Sequence, residues 1–250
     1  MSKIFEALEH ARQKLRRTPA TASPPDIGRA PTISSSLDTD GLNMEYEMIE
    51  LYQTIKSLLS EDKRRIIQFM GSLAREGTSS IARAFARALA LRVGKKVFLL
   101  LGQSTIGGNT IFNIKIDNFI EDVIKGNNPI DEALYEVGDT NLFVGMISGG
   151  TKLSPDLFDS PKIDKLWDQL RERFDIVVID SPPANISSVG FAICRTVDGV
   201  ILVVEAEKTR WPVTLSVKER IEHQGGKEKL LGVVFNKRRF YIPAWIYKRL

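Results

Sequence analysis

The segment Ser72-Leu73-Ala74-Arg75-Glu76-Gly77-Thr78-Ser79-Ser80 follows the apolar run Ile66-Ile67-Gln68-Phe69-Met70 and Gly71. Residue types and spacing are those of a loop that cradles phosphate between a strand and a helix. In the full pattern, G-x-x-x-x-G-K-[ST], backbone amides wrap the phosphates, the lysine reaches the terminal ones and the hydroxyl holds magnesium. Here Ser72 stands at the first glycine position, Gly77 at the second and Thr78 where the lysine belongs, while Ser79 keeps the hydroxyl. The amides and the helix N-terminus of such a loop attract phosphate even without a lysine. A strand–turn–helix junction of small residues can also be merely a tight connection. The spacing and the trailing Ser79-Ser80 favour a phosphate-loop ancestry.

Two other strand ends bear on the same chemistry. Ile176-Val177-Val178-Ile179-Asp180-Ser181-Pro182-Pro183 is an apolar strand ending in an acid, the usual place for a carboxylate that holds a magnesium-bound water. The plain alternative is a turn or helix-capping carboxylate, with equal weight on this segment alone. The run Val97-Phe98-Leu99-Leu100-Leu101 ends in Gly102-Gln103-Ser104. A catalytic acid for phosphate transfer would be expected there, and none is present.

These segments need a scaffold that brings strand ends together. From Met44 onward, strand and helix patterns alternate. Helices are expected over about Glu45–Leu59, Ser79–Val93, Asn118–Lys125, Pro129–Glu136, Pro161–Phe174, after Ser187, and over Pro212–His223. Strands are expected at Ile66–Met70, Val97–Leu101, Leu142–Met146, Asp175–Asp180, Val200–Val204 and Leu230–Phe235. The run 97–101 is apolar throughout, as in a strand covered on both faces. The alternation predicts an α/β fold, a doubly wound, mostly parallel sheet with helices on both sides, whose ligands bind beyond the carboxyl ends of the strands.

The chain has 250 residues, 43% of them hydrophobic and 26% charged, enough for one sizeable core with appendages. Cys194 is the only cysteine, which excludes an intrachain disulfide and points to a reducing compartment. With no apolar run of roughly 18 residues and no signal-peptide pattern, the expectation is a cytoplasmic protein, with peripheral attachment at the inner membrane left open.

Residues 1–17 read as a short amphipathic helix, with Ile4, Phe5, Leu8, Ala11 and Leu15 on one face. Residues 18–43, broken by Pro19, Pro24, Pro25 and Pro31, read as a flexible linker. The body spans 44–236 and a basic aromatic tail follows over 237–250. The net charge of +4 is gathered at the ends, in Arg12, Lys14, Arg16 and Arg17 and in Lys237, Arg238, Arg239, Lys248 and Arg249. Such ends can meet an anionic membrane surface or nucleic acid, but more often are simply solvated; no nucleic-acid partner is expected.

With these motifs in order, residues 44–250 resemble the bacterial tyrosine kinases of capsular and exopolysaccharide biosynthesis, a branch of the MinD/ParA-like P-loop fold. The family's G-E-G-K-S-T is matched by Arg75-Glu76-Gly77-Thr78-Ser79-Ser80, its D-x-D by Leu101-Gly102-Gln103 and its D-T-P-P by Asp180-Ser181-Pro182-Pro183. Val197-Asp198-Gly199-Val200 resembles its A-D-G-V strand. Leu231-Gly232-Val233-Val234-Phe235-Asn236 resembles its G-V-V-L-N strand, whose Asn faces adenine. The tail Lys237-Arg238-Arg239-Phe240-Tyr241-Ile242-Pro243-Ala244-Trp245-Ile246-Tyr247 resembles the family's phosphorylated tyrosine cluster. Met1-Ser2-Lys3-Ile4 and the helix after it look like members linked to exosortase-type systems.

The resemblance implies a nucleotide site at Ser72, Arg75, Glu76, Gly77, Thr78, Ser79, Ser80 and Asn236. Magnesium would lie at Ser79 and Asp180, with Asp180 the retained third-motif acid. Tyr241 and Tyr247 are the candidate phosphoacceptors; alternatively the tail aromatics lie on lipid headgroups or simply pack. The departures fall on the chemistry, because the lysine and both second-motif acids are missing. Arg75 offers a substitute charge or is simply solvated. The family's assembly helix E-x-x-R-x-x-R is matched by Glu50-Leu51-Tyr52-Gln53-Thr54-Ile55-Lys56, which leaves homo-oligomerisation open, since lysine lacks arginine's fork.

The expected function is therefore a kinase-like, catalytically impaired regulator or scaffold of exopolysaccharide or capsule synthesis and export. Its partner would be a membrane-embedded chain-length or export protein, and its use of ATP and Mg would be weak or absent. A working tyrosine autokinase and a MinD-like membrane-surface ATPase relative are the alternatives.

Overall fold

The computed structural model describes residues 39–59, 65–102, 110–111, 114–115, 117–126, 128–147, 157–158 and 161–237. The expected N-terminal helix, Gln103 and the tail with Tyr241 and Tyr247 lie outside the described residues, as does most of the expected linker. Seven strands form one sheet in the order β5-β6-β2-β7-β1-β8-β9. They are β1 (Arg65–Gly71), β2 (Val97–Gly102), β5 (Tyr135–Glu136), β6 (Leu142–Ile147), β7 (Ile176–Asp180), β8 (Gly199–Glu205) and β9 (Leu230–Asn236). All neighbours pair in parallel except β5 on β6. A separate two-stranded ladder joins β3 (Thr110–Ile111) to β4 (Ile114–Lys115).

Side chains alternate across the sheet with the two-residue period of a strand. Ile66 and Met70 of β1 enter one apolar cluster with Phe98, Leu100, Val177, Ile179, Leu202 and Val204. Ile67 and Phe69 enter the other with Leu99, Leu101, Val178, Ile201 and Val203. The first face is covered by α3 (Ile120–Lys125), α4 (Pro161–Arg173), α5 (Val189–Cys194) and α6 (Trp211–Gly225), which supply Ile124, Trp167, Phe191 and Ile221. The second is covered by α1 (Thr39–Leu58) and α2 (Thr78–Arg92), through Met48, Ile55, Phe85 and Leu89. Burial on both faces explains why these strands read as unbroken apolar runs.

From β1 the chain crosses through α2 to β2, on one side of β1. From β7, the neighbour of β1, it crosses through α5 to β8 on the other. Such a reversal opens a crevice at the carboxyl ends of the strands, where residues 72–80 and Asp180 lie.

Two expectations need correction. The helix read from Glu45 begins at Thr39, so residues 39–43 are helical and not linker. The helix read over Pro129–Glu136 is a 3-10 turn at Ile130–Ala133 followed by β5. Tyr135 and Glu136 are drawn into a ladder with Val144 and Phe143 of β6, which leaves the residues before them only a single 3-10 turn.

Candidate functional site

The loop after β1 is tight because its ends meet at a bare α-carbon. A Cβ on Gly71 would lie 2.5 Å from Thr78 Oγ1 and 3.2 Å from Glu76 Oε2. Thr78, in the lysine position, is thus packed inward and buried, and carries no charge. Arg75 is exposed and has a left-handed backbone, φ 69°, a conformation that suits glycine and strains other residues by roughly 1 kcal/mol or more. Its side chain contributes no ordered contact among the described residues.

Glu76 is only 2% exposed. One carboxylate oxygen accepts from Leu73 N at 2.8 Å and the other from Thr209 Oγ1. Its carbonyl accepts from Asn236 Nδ2 at 2.8 Å. Gly77 has φ 88° and caps α2 with no side-chain hydrogen bond. A side chain there would strike the Asn236 amide. Ser79 and Ser80 are exposed at the start of α2, where the first amides of a helix have no intrahelical acceptor. Ser72 is fully buried, and its Oγ has no hydrogen-bond partner among the described residues.

Asp180 ends β7 directly beside β1, opposite Phe69, and is 2% exposed. Burial pushes its carboxyl up to about 6, against the hydrogen bond from Ser79 and the positive charge of Arg83. Its Oδ1 has no hydrogen-bond partner among the described residues. The fold therefore brings together the two residues expected to hold a metal. The following Ser181-Pro182-Pro183 keeps to β1, with Ser181 N donating to Phe69 O at 3.0 Å and Ala184 N to Gly71 O at 2.9 Å. Gly102 approaches the same turn so closely that a Cβ would stand 2.5 Å from Asp180 O. Leu101, in the position of a second-motif acid, is 2% exposed and belongs to the core.

These residues meet part of what magnesium and nucleotide phosphates require. Asp180 Oδ1 and Ser72 Oγ are buried polar atoms with no hydrogen-bond partner among the described residues, and Ser79 supplies the hydroxyl. No cluster of three or more His, Cys, Asp or Glu occurs among the described residues. Magnesium would depend on waters and phosphate oxygens for most of its six ligands.

Several residues here had little or no signature in the sequence. Gln68, fully buried on β1, donates to Ser181 Oγ and to Gly190 O, both at 2.7 Å. Its only signal was a polar residue inside an apolar strand. Glu205, at the end of β8, and Thr209, in the turn beyond it, reach the loop or its contacts from far along the chain. Lys237, read only as part of a basic tail, donates from Nζ to Arg75 O at 2.7 Å and to Glu205 Oε2 at 3.3 Å. Burial works to raise the Glu205 carboxyl, but hydrogen bonds from Lys208 and Lys237 outweigh it and hold it below the usual range. On α1, Glu50, Gln53 and Lys56 are exposed. No helix among the described residues is long and apolar enough to cross a membrane.

No protein-family model matches the chain. It is similar to the tyrosine-protein kinase CpsD of Streptococcus pneumoniae, 30% identical over 189 residues that cover 72% of this chain and 78% of that one. Among solved structures it is similar to the kinase domain of the Escherichia coli tyrosine kinase ETK, with a TM-score of 0.69, 18% identity and 86% of each chain covered. It is also similar to the septum site-determining protein MinD of Pyrococcus horikoshii OT3 in complex with Mg-ADP. There the TM-score is 0.56 and the identity 18%, over 74% of this chain and 76% of that one. The last two likenesses establish a P-loop fold of the MinD type.

Proposed function

Because the chain belongs to the bacterial tyrosine-protein kinase family of CpsD, we propose that it is a kinase-like regulator or scaffold with impaired catalysis, acting in exopolysaccharide or capsule synthesis. It binds ATP and magnesium weakly, through the loop amides, Ser79 and Asp180, and works on a membrane-embedded chain-length or export protein. The observation that carries this reading is the pairing of Thr78 with Leu101. An uncharged residue is packed under the loop where lysine belongs, and a core leucine stands where an acid belongs. A lysine on the terminal phosphates makes charge-assisted bonds of about 1.5–3 kcal/mol, so its loss weakens binding roughly ten- to a hundredfold. Without the second acid, no base stands at the end of β2.

Calorimetry with Mg-ATP and a phosphotyrosine assay on the purified full chain test this. The expected result is binding weaker than micromolar and no phosphate on Tyr241 or Tyr247. Micromolar binding together with phosphorylation of either tyrosine by the protein alone would overturn it.

One observation favours the second reading, an active autokinase. Asp180, pushed up to about 6 by burial beside Ser79, is a carboxylate of the kind found at working sites. The same assay decides between the two.

A further inference from the structure

A cation does lie on this loop, outside it, and its position gives it a use. We propose that Asn236 and Lys237, at the end of β9, are positioning residues that hold the phosphate loop in its anion-binding form by anchoring two successive peptide groups from behind. The inference rests on the reading above that the loop receives nucleotide phosphates.

Lys237 Nζ donates to the carbonyl of Arg75 at 2.7 Å, and Asn236 Nδ2 to the carbonyl of Glu76 at 2.8 Å. The described peptide bonds are trans, and in a trans peptide the C=O and N–H point to opposite sides. Fixing the two carbonyls toward β9 therefore turns the N–H groups of Glu76 and Gly77 away from it. In the sheet, β7 and Asp180 lie on the side of β1 away from β8 and β9. Neither N–H meets an acceptor among the described residues. Left-handed backbone at Arg75 (φ 69°) and Gly77 (φ 88°) flanks Glu76, the kind of alternation that turns successive N–H groups into a concave anion nest.

The clamp is itself held. Lys237 has a left-handed backbone, φ 56°, and its N–H donates to Asn236 Oδ1 at 2.9 Å. Asn236 O accepts from Ala206 N at 2.9 Å, and Lys237 Nζ pairs with Glu205 at 3.3 Å. Both residues are thus referenced to the end of β8. The Glu76 carboxylate is held separately by Leu73 N and Thr209, so the loop is fixed from two directions. An ammonium on the Arg75 carbonyl also polarises that peptide and makes its N–H a stronger donor. The positive charge missing at position 78 acts here at one remove, through a peptide group.

The test uses the full chain and the variants Lys237→Met, Lys237→Arg and Asn236→Ala. Backbone 15N relaxation of the ligand-free protein reads the clamp directly. Order parameters at Glu76 and Gly77 are expected to fall from about 0.85 to below about 0.6 in Lys237→Met and Asn236→Ala, with Lys237→Arg close to wild type. Unchanged values would overturn the proposal. Calorimetry with inorganic tripolyphosphate and with Mg-ATP is expected to show both ligands weakened about tenfold by Lys237→Met and Asn236→Ala. Weakening of ATP alone would assign these residues to the base and also overturn it. A wild-type protein that binds neither ligand would sink the nucleotide reading, and the order parameters would still decide the clamp.

Discussion

Leu101 and Asp180 stand opposite each other across the β2–β7 ladder, so their side chains leave the sheet on the same face. The leucine belongs to the core cluster on that face, and burial pushes the aspartate up to about 6.

The first prediction concerns pH. The raised value means the native state holds the Asp180 proton more tightly than the unfolded chain does. Stability is therefore fully present below the ordinary value of 3.8 and declines as pH rises from there through about 6. Asp180→Asn, which still accepts from Ser79, is expected to stabilise the ligand-free protein by up to about 3 kcal/mol at pH 8. The advantage should vanish near pH 4. Urea titrations at pH 4, 6 and 8 measure it, and a benefit independent of pH contradicts the assignment.

Thr78→Lys returns an ammonium to the loop. Calorimetry is expected to show Mg-ATP binding strengthened ten- to a hundredfold, from about 1.5–3 kcal/mol of charge-assisted bonding. Phosphotyrosine should not rise, because Leu101 still occupies the acid's place. Turnover gained by Thr78→Lys alone would show that the second-motif acid is dispensable here.

Gln68→Met keeps the volume of a fully buried side chain and removes its donor. Ser181 Oγ and Gly190 O then lose the 2.7 Å bonds they accept, and buried acceptors left bare cost about 1–3 kcal/mol. Urea midpoints give the difference, and an unchanged midpoint would mean that these bonds contribute nothing net.

Asp198 makes structural contacts. Its carboxylate accepts from Ile66 N at 2.7 Å and from Arg171 at 3.0 Å, tying the start of β1 to α4. Asp198→Ala is expected to lower stability by about 1–2 kcal/mol and to leave tripolyphosphate binding, measured by calorimetry, where it was. A selective loss of ligand affinity would reassign the residue to the site.

Most of the sheet was legible because its physics is local. Runs such as Val97–Leu101 and Ile176–Ile179 announce strands buried on both faces, and the period of α2 follows from its buried side, Ile81, Ala82, Phe85 and Leu89. The segment Pro129–Glu136 was misread because its helical pattern is short and its strand partner lies on the edge of β6. The pairing of Ser79 with Asp180 could be expected, since a parallel sheet collects the ends of its strands. The fixing of the loop could not. Its partners Thr209, Asn236 and Lys237 lie 133, 160 and 162 residues away from the groups they hold, and no sequence period reports such distances. Gln68 was visible as an anomaly, though its partners were not.

Those separations also set an order of events during synthesis. The loop emerges early from the ribosome, but the strand that secures it is the last of the sheet to be made. Until β9 pairs with β8, the carbonyls of Arg75 and Glu76 have no donors from that side, and such long-range closures are the slow steps of folding. On the function proposed above, the loop takes up its phosphate-binding form only once β9, which also brings Leu230 and Leu231 to the core, has been made and has paired with β8.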